Sequence, residues 1–214
     1  MDEIIAQVAR AIACFARLRI LSRLAGTVEM APTRLAAGLA MPPPVISAHL
    51  RRLSSAGLIQ RRRSGSWCYC VPKSPYSDRA LSGMVASWLF GILRNPAEAM
   101  RDCRLSQVCN FPDNQSTTPS HTAIFDAATA FTNVRRLQIL RRLNKDDVVT
   151  SEVLSQELSM SESAVSRHTA KLIRRGYVNL AQSKRPLGYR LAGKFKSPIH
   201  ARLFKIVRSQ WEGR

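Results

Sequence analysis

Apolar positions recur with helical spacing in two stretches of the chain that repeat one another. The stretches are PPPVISAHLRRLSSAG at 42–57 and SESAVSRHTAKLIRRG at 161–176, and an offset of 119 residues aligns their shared spacing S-x-H-x-x-x-L-x-x-x-G. On a helical wheel of about 100° per residue, Val165 and Leu172 fall on one stripe while Arg167 points away from it. Each stretch therefore predicts a helix with one apolar face and one outward face of small and basic residues.

The outward face of such a helix suits the major groove of DNA, where small side chains permit close approach to the base edges. We therefore interpret residues 43–56 and 162–175 as recognition helices for double-stranded DNA. The residues predicted to read bases are Pro44, Val45, Ser47, Ala48 and Arg51 in the first copy and Ser163, Ala164, Ser166, Arg167 and Lys171 in the second. Because the two sets differ, the predicted operator is asymmetric.

The pattern around the first recognition helix predicts a helical unit that ends in a hairpin and a closing helix. The opening helix has Ile4, Ile5, Val8, Ala9 and Ile12 at helical spacing, which indicates a side that faces the core or an interface. The period then changes to that of two short strands around a Ser-Gly-Ser turn, which is typical of a β-wing. The predicted elements are helices at 2–13, 15–26, 31–40 and 75–94 and strands at 58–63 and 67–71.

The same succession returns in the second half of the chain, which makes it an internal repeat. Strands are predicted at 177–182 and 188–192, and Trp88 corresponds to Trp211. Between the copies, Asn95-Pro96 indicates a short helix to about residue 107, and a polar stretch follows at 112–120. The predicted domains are 1–94 and 121–214, with 95–120 as a linker.

A strong positive charge indicates a polyanionic partner. Lysine and arginine number 33 against 14 aspartates and glutamates, giving a formal net charge of +19. Both halves share the excess, with +9 through residue 110 and +10 after it. Surface cations distributed in this way displace the counterions condensed on nucleic acid, although solubility alone is the alternative reading.

The chain begins Met1-Asp2-Glu3 and contains no long uncharged run, so we expect a cytoplasmic protein of a prokaryotic cell, associated with the nucleoid. Its five cysteines are an odd number in a chain that is long enough to bury a core, which favours reduced thiols. Cys68 and Cys70 share one face of a predicted strand and are expected to pack beneath the wing. Cys103 and Cys109 are either plain loop cysteines or a thiol switch.

The ordered motifs resemble the ArsR family of winged helix-turn-helix regulators, twice in one chain. The family's A-L-x-x-x-x-R-L-x-I-L helix is matched by residues 11–21 and again by residues 130–140. Its S-x-H-L helix and G-L-V exit are matched by residues 47–59 and 166–178, with Thr169 in place of the leucine. The resemblance implies a mainly α fold with small β-wings (α+β), in tandem winged helix-turn-helix domains.

Many members of that family sense metals through a Cys-x-Cys before the recognition helix or an Asp/His/Glu set on the closing helix. The helices before the two predicted recognition helices contain no Cys or His, and the closing helices offer only Asp78 and His200. A metal site needs three or four converging ligands. We therefore expect no metal and no cofactor.

His49 and His168 lie about 60° from the buried stripe, where an imidazole can hydrogen-bond locally or reach a phosphate. We predict no enzyme activity, because no paired carboxylates, glycine-rich phosphate loop or nucleophile-base set occurs in the sequence. The residues predicted to contact the DNA backbone are His49, Arg52, Arg61, Arg62, Arg63, His168, Arg174, Lys184 and Arg185.

The favoured function is a sequence-specific, double-stranded DNA-binding transcription regulator, and the resemblance favours a repressor. An architectural or RNA-binding winged-helix protein and a protein-interaction module remain alternatives. Small residues on both recognition faces argue against the first alternative, and the Arg/Lys content argues against the second.

The resemblance also implies how the two copies pair, since family members are usually dimers joined by their opening and closing helices. About 26 residues separate Arg94 from His121 and could span up to about 80 Å when extended. We therefore expect the two copies to pair within one chain as an intrachain pseudo-dimer, with a monomer in solution and a higher homo-oligomer as an alternative.

Overall fold

The computed structural model describes residues 1–65, 67–101, 117–146, 148–181 and 188–212. Its elements form two similar units, here called the first module (α1–α5) and the second module (α7–α11). The first half contains α1 (Asp2–Ile12), α2 (Phe15–Ala25), α3 (Pro32–Leu39), α4 (Pro43–Ser55), β1 (Gln60–Ser64), β2 (Trp67–Val71), α5 (Leu81–Arg94) and α6 (Pro96–Arg101). The second half contains α7 (Pro119–Thr129), α8 (Val134–Leu143), β3 (Val149–Thr150), α9 (Ser151–Glu157), α10 (Glu162–Arg174), β4 (Val178–Ala181), β5 (Gly188–Leu191) and α11 (Pro198–Glu212). The predicted fold class, mainly α with small β-wings, is confirmed.

Two helix starts differ from the sequence-based bounds. Helix α5 begins at Leu81 rather than at residue 75, because the preceding loop folds back onto its first turn. There the position that a Cβ of Gly83 would occupy lies 2.0 Å from the carbonyl oxygen of Ser77, so only glycine fits. Helix α7 begins at Pro119, inside the predicted linker, because Thr118 and His121 form a capping box at its N-terminus. The short helix predicted from residue 96 is present as α6, and its predicted part beyond residue 101 lies outside the described residues.

The turn before each recognition helix is the same in the two modules. Ala40 and Ser159 occupy corresponding positions at the offset of 119 and have φ angles of +50° and +49°. A left-handed residue after a helix redirects the chain, and the following amide then bonds back to the helix. Met41 N donates to Ala36 O at 3.0 Å, and Met160 N donates to Ser155 O at the same distance. The two modules therefore enter α4 and α10 through the same kind of turn.

The wings are antiparallel hairpins that differ in size. In the first module β1 pairs with β2 from Gln60 opposite Val71 to Ser64 opposite Trp67, and Met30 forms an isolated bridge to Cys70. In the second module that bridge becomes a third strand, β3, and the sheet order is β3-β5-β4. Strand β3 was not predicted, since two residues are too few to show a period of two.

A buried arginine joins the opening helix to the next helix in each module. The guanidinium of Arg17 donates to the carbonyl oxygens of Ala11 at 2.6 Å and Arg10 at 2.7 Å. Arg136 makes the matching bonds to Ala130 and Thr129, at 2.8 and 2.9 Å. These bonds satisfy carbonyls that a helix leaves unpaired at its C-terminus. The R-L-x-I-L motif therefore combines an apolar stripe with an arginine that caps the preceding helix.

The two modules pack against each other through α1 with α7 and α5 with α11, as expected for an intrachain pseudo-dimer. Ile5, Val8 and Ile12 of α1 lie at the centre of this interface and share a small apolar cavity with Phe131 and Leu203. Apolar burial of this kind is the main favourable term in association. Ile4 was predicted on the buried side and this was wrong, since it is 52% exposed.

Polar contacts at the interface follow an approximate two-fold relation. Asp2 of α1 pairs with Arg141 of α8 at 3.6 Å, and it also accepts a hydrogen bond from Trp211 Nε1 at 3.2 Å. The offset of 119 carries Asp2 to His121 and Ser22 to Arg141, and His121 Nε2 lies 3.0 Å from Ser22 Oγ. Of these two equivalent contacts, Asp2 with Arg141 is an ion pair, and His121 with Ser22 is a neutral hydrogen bond.

Candidate nucleic-acid interface

Helix α4 buries one stripe and exposes the residues predicted to read DNA. Ile46, Leu50 and Leu53 are fully buried, as the apolar spacing predicts. Pro42 and Pro43 introduce the helix, and its N-cap has no side-chain hydrogen bond. The predicted base-reading residues Pro44, Val45, Ser47 and Arg51 are exposed, and Ala48 is half-buried. The side chains of this set thus lie on the side of α4 that faces away from the core.

Helix α10 exposes the corresponding side, with a different chemistry. Ser161 caps it by accepting a hydrogen bond from Ala164 N at 3.3 Å. Thr169 replaces the buried Leu50 of the first module, and its hydroxyl is satisfied by the carbonyl oxygen of Val165 at 2.9 Å. Among the predicted base-reading residues, Ser163, Ser166 and Arg167 are exposed, while Ala164 and Lys171 are half-buried.

The two histidines of the recognition helices lie at the boundary between core and solvent. His49 and His168 are both half-buried. Burial lowers the pKa of each imidazole, and the charges of neighbouring arginines lower it further. Both rings are therefore mainly neutral at pH 7, so that a contact with a phosphate would use a ring N–H rather than a full positive charge.

The first wing presents arginines whose surroundings differ. Arg62 makes a bidentate ion pair with Glu29, at 2.7 and 2.9 Å, and its guanidinium lies 5.6 Å from the ring centre of Tyr69. Arg61 and Arg63 are exposed and make no ion pair within the described part of the chain. The wing therefore holds one arginine in place and leaves two available to an anion.

Trp67 at the start of β2 is a candidate contact that the sequence did not single out. It is 64% exposed and lies opposite Ser64 at the end of the hairpin, close in the chain to Arg63. A large exposed aromatic is unusual on a protein surface and suits packing against a sugar or a base. The pattern of alternating strand positions could have indicated it, because Trp67 falls outside the face that holds Cys70.

The remaining predicted backbone contacts are only partly described. Arg52 and Arg174 are exposed near the C-terminal ends of α4 and α10. Lys184 and Arg185, predicted at the tip of the second wing, lie outside the described residues, as do Cys103 and Cys109. In the first wing Cys70 is fully buried under the hairpin, and this burial raises the pKa of its thiol to about 11.

Neither a metal cluster nor a membrane-spanning helix is found in the described ranges. Among those residues, no three His, Cys, Asp or Glu side chains are grouped as metal ligands would be. In the same ranges, no helix combines the length and the apolar character that crossing a bilayer requires.

Two family models match the regions of the chain that contain the predicted recognition helices. A family model described as a helix-turn-helix domain matches residues 16–62, and one described as winged helix-turn-helix DNA-binding matches residues 132–179. The chain therefore carries two winged helix-turn-helix DNA-binding domains at distinct positions. The structure of HlyU from Vibrio cholerae is similar to 43% of this chain at 29% identity, with 96% of HlyU covered and a TM-score of 0.36. No curated protein sequence matches the chain.

Proposed function

We propose that this protein is a sequence-specific regulator of transcription that binds double-stranded DNA and acts as a repressor. One observation carries the proposal. The predicted base-reading residues of α4 and α10 point away from the core, the two sets differ, and the two modules that present them pack together within one chain. The resemblance to ArsR-type regulators supports repression. We infer domain limits of 1–94 and 119–214, joined by residues 95–118, because the first helix of the second unit starts at Pro119 rather than at the predicted residue 121.

We infer that each recognition face reads a different half-site. The apolar side chains of Val45 and Ala48 favour contact with thymine methyl groups, whereas Arg167 can donate two hydrogen bonds to O6 and N7 of a guanine. If the modules bind as an ordinary winged-helix dimer does, the half-sites lie about one helical turn, or a small multiple of it, apart. The operator is then T-rich in one half and contains guanine in the other.

Selection of bound sequences from a random duplex tests this function. The expected result is a single asymmetric site with one T-rich half and one half that contains guanine. A perfectly palindromic consensus would contradict the assignment of different half-sites, and the absence of any consensus would contradict sequence-specific binding. Size exclusion with light scattering at low concentration should give a compact monomer, because the modules already pair within the chain.

A second candidate function is sequence-independent nucleic-acid binding, which the exposed Arg61, Arg63 and Trp67 of the first wing favour. A competition gel shift at moderate salt separates the candidates. Competition by the selected duplex alone indicates a specific regulator, whereas equal competition by unrelated duplex or RNA indicates an architectural protein. The absence of nucleic-acid binding indicates a protein-interaction module.

A further inference from the structure

A cleft of about 350 Å³ lies between α1, the start of α2 and the C-terminal half of α4, and most of its polar lining is arginine. The residues that matter here are Gln7, Arg10, Arg17, Arg51, Arg52 and Ser55. Because α1 belongs to the interface between the modules and α4 is the first recognition helix, a ligand in this cleft would contact both.

Two of these arginines are held in place by the fold. Arg17 is buried and donates to the two carbonyl oxygens at the end of α1. Arg10 donates from Nε to the carbonyl oxygen of Thr132 in the second module at 2.9 Å, and its Nη1 lies 3.3 Å from Glu3 outside the lining. A guanidinium has five N–H donors, so each still has donors left for a ligand.

The other two arginines lack a counter-charge in the described structure. Arg51 and Arg52 are exposed, and in the described ranges neither makes an ion pair. The lining itself contains no carboxylate. Burial lowers the pKa of Arg17, Cys14 partly offsets this effect, and the positive charge of Arg52 lowers the pKa further. Converging guanidinium groups of this kind repel one another. A bound anion would offset this electrostatic repulsion.

The second module shows how the same region looks when the chain supplies its own anion. The offset of 119 carries Gln7 to Asp126, and that carboxylate pairs with Arg175, Lys196 and His200. The positions of Arg10 and Arg51 are taken by Thr129 and Ala170. The second module thus has a buried carboxylate that pairs with its neighbouring cations, whereas the first has a neutral glutamine beside four arginines.

We propose that the arginine cleft of the first module binds a phosphate group. Guanidinium groups present planar pairs of N–H donors that match phosphate oxygens, and the hydroxyl of Ser55 adds a further donor. The phosphate is either a phosphodiester of the DNA backbone or part of a free phosphate-bearing molecule. The site goes beyond the proposed function, because its occupancy by free phosphate does not require DNA.

Thermal unfolding of the full-length, DNA-free chain in inorganic phosphate tests the site. Phosphate replaces chloride at constant ionic strength and pH, and the Tm should rise by about 3–6 °C at ten times the Kd. The variant R51Q/R52Q should lose this rise. The control R167Q/K171Q, which removes two positive charges from the second recognition helix, should retain it.

Equal responses of the two double variants to phosphate would overturn the proposal, because general stabilisation by phosphate does not depend on which helix is neutralised. This result is distinct from a failure of the proposed function, which would appear as a loss of duplex binding by the wild-type chain. Circular dichroism of both variants at low temperature verifies that each is folded. If R51Q/R52Q does not fold, the same measurement is made on R52Q alone, with K171Q as its control.

Fluorescence anisotropy with the selected duplex identifies the source of the phosphate. If a backbone phosphodiester occupies the cleft, inorganic phosphate at constant ionic strength should weaken duplex binding by the wild type but not by R51Q/R52Q. If the cleft binds a free phosphate-bearing molecule, duplex affinity of the wild type should stay constant or increase. Either result, together with the specific rise in Tm, supports a phosphate site.

Discussion

The first and second modules have different chemistry where the predicted recognition helix ends. In the second module the buried carboxylate of Asp126 accepts a hydrogen bond from Lys196 Nζ at 2.9 Å, lies 3.2 Å from His200 Nε2, and pairs with Arg175. Tyr177 is fully buried beside it and donates its hydroxyl to Ala127 O at 3.2 Å. A network of charged and polar side chains thus connects α7 to the end of α10 and to the start of α11.

In the first module the corresponding positions are occupied by Gln7, Ala56 and Leu58. Leu58 is fully buried, and a hydrogen bond from Ser82 Oγ to Ala56 O, at 2.9 Å, joins α5 to the end of α4. The comparison shows that this fold accepts either apolar packing or an ion network at the end of the helix α4 or α10. The network is more vulnerable to single changes, because loss of Asp126 leaves the half-buried Arg175 and the buried His200 without this partner.

The largest expected effect is on the network of the second module. Asp126→Ala should lower the free energy of unfolding by about 3–5 kcal/mol, because the half-buried Arg175 and the buried His200 lose the carboxylate that they contact. Gln7→Ala, the matched change in the first module, should stay within about 0.5 kcal/mol, since Gln7 is exposed. Urea unfolding followed by circular dichroism measures both, and equal losses would mean that the two modules do not differ in this way.

The same carboxylate should make the protein sensitive to acid. Burial alone would raise the pKa of Asp126, but hydrogen bonds from His200 and Lys196 and the charge of Arg175 outweigh it and hold the pKa well below its usual 3.8. A group whose pKa is lower in the folded state contributes stability above its unfolded pKa and loses it as the pH falls below that value. Asp126→Asn should therefore flatten the decline in stability below about pH 4.

The next effect concerns the recognition faces, where Ala48 corresponds to Arg167. Arg167→Ala should relax the preference at one guanine by about 1–3 kcal/mol and leave the other half-site unchanged. The reciprocal change, Ala48→Arg, should create a new guanine preference in the T-rich half. Repeated selection from random duplexes measures both. An Arg167→Ala protein with unaltered base preference would rule out its predicted role.

A smaller effect on stability is expected at the contact between His121 and Ser22, which differs from the equivalent contact between Asp2 and Arg141. Burial lowers the pKa of His121 below its ordinary value of 6.5, and the charge of Arg19 lowers it further. Its contribution to stability is therefore present above about pH 6.5 and is lost as the pH falls below that value. The Tm of the wild type should decrease between pH 7.5 and 5.5, and His121→Gln should weaken this dependence.

Asp2→Asn is the matched control for His121, because it changes the equivalent contact on the other side of the interface and keeps the histidine. It should preserve the decrease in Tm over the same pH range. If His121→Gln and Asp2→Asn have the same pH profile as the wild type, the contact with Ser22 does not contribute to pairing at these pH values.

The smallest expected effect concerns the wings, measured as the slope of log affinity against log salt. The variant R61Q/R63Q should flatten the slope by up to about 2 units, roughly one for each lost phosphate contact. Arg62→Gln should change it less, because Glu29 already pairs with that guanidinium. Lys184→Ala with Arg185→Ala tests the second wing, again with up to about 2 units expected. An unchanged slope in either double variant would mean that its side chains only solvate the hairpin.

Periodic features were predictable from sequence, and contacts between distant segments were not. The apolar stripes of α4 and α10 and the return of the hairpin follow from spacing within about 15 residues. The Asp126 network joins residues from three separate elements, so no local pattern points to it. Helix α5 starts late for the same kind of reason, since the loop at Ser77 packs onto Gly83.

The sequence by itself determined the duplicated winged helix-turn-helix fold and the different chemistry of the two recognition faces, because helical and strand periods are local properties of the chain. Only the tertiary structure decided which polar groups are buried and which positive charges converge. Arg17 and Arg136 become caps of α1 and α7, and Arg10, Arg51 and Arg52 meet in one cleft. The physical reason is that burial and Coulomb energy depend on distances in space, and chain separation does not specify those distances.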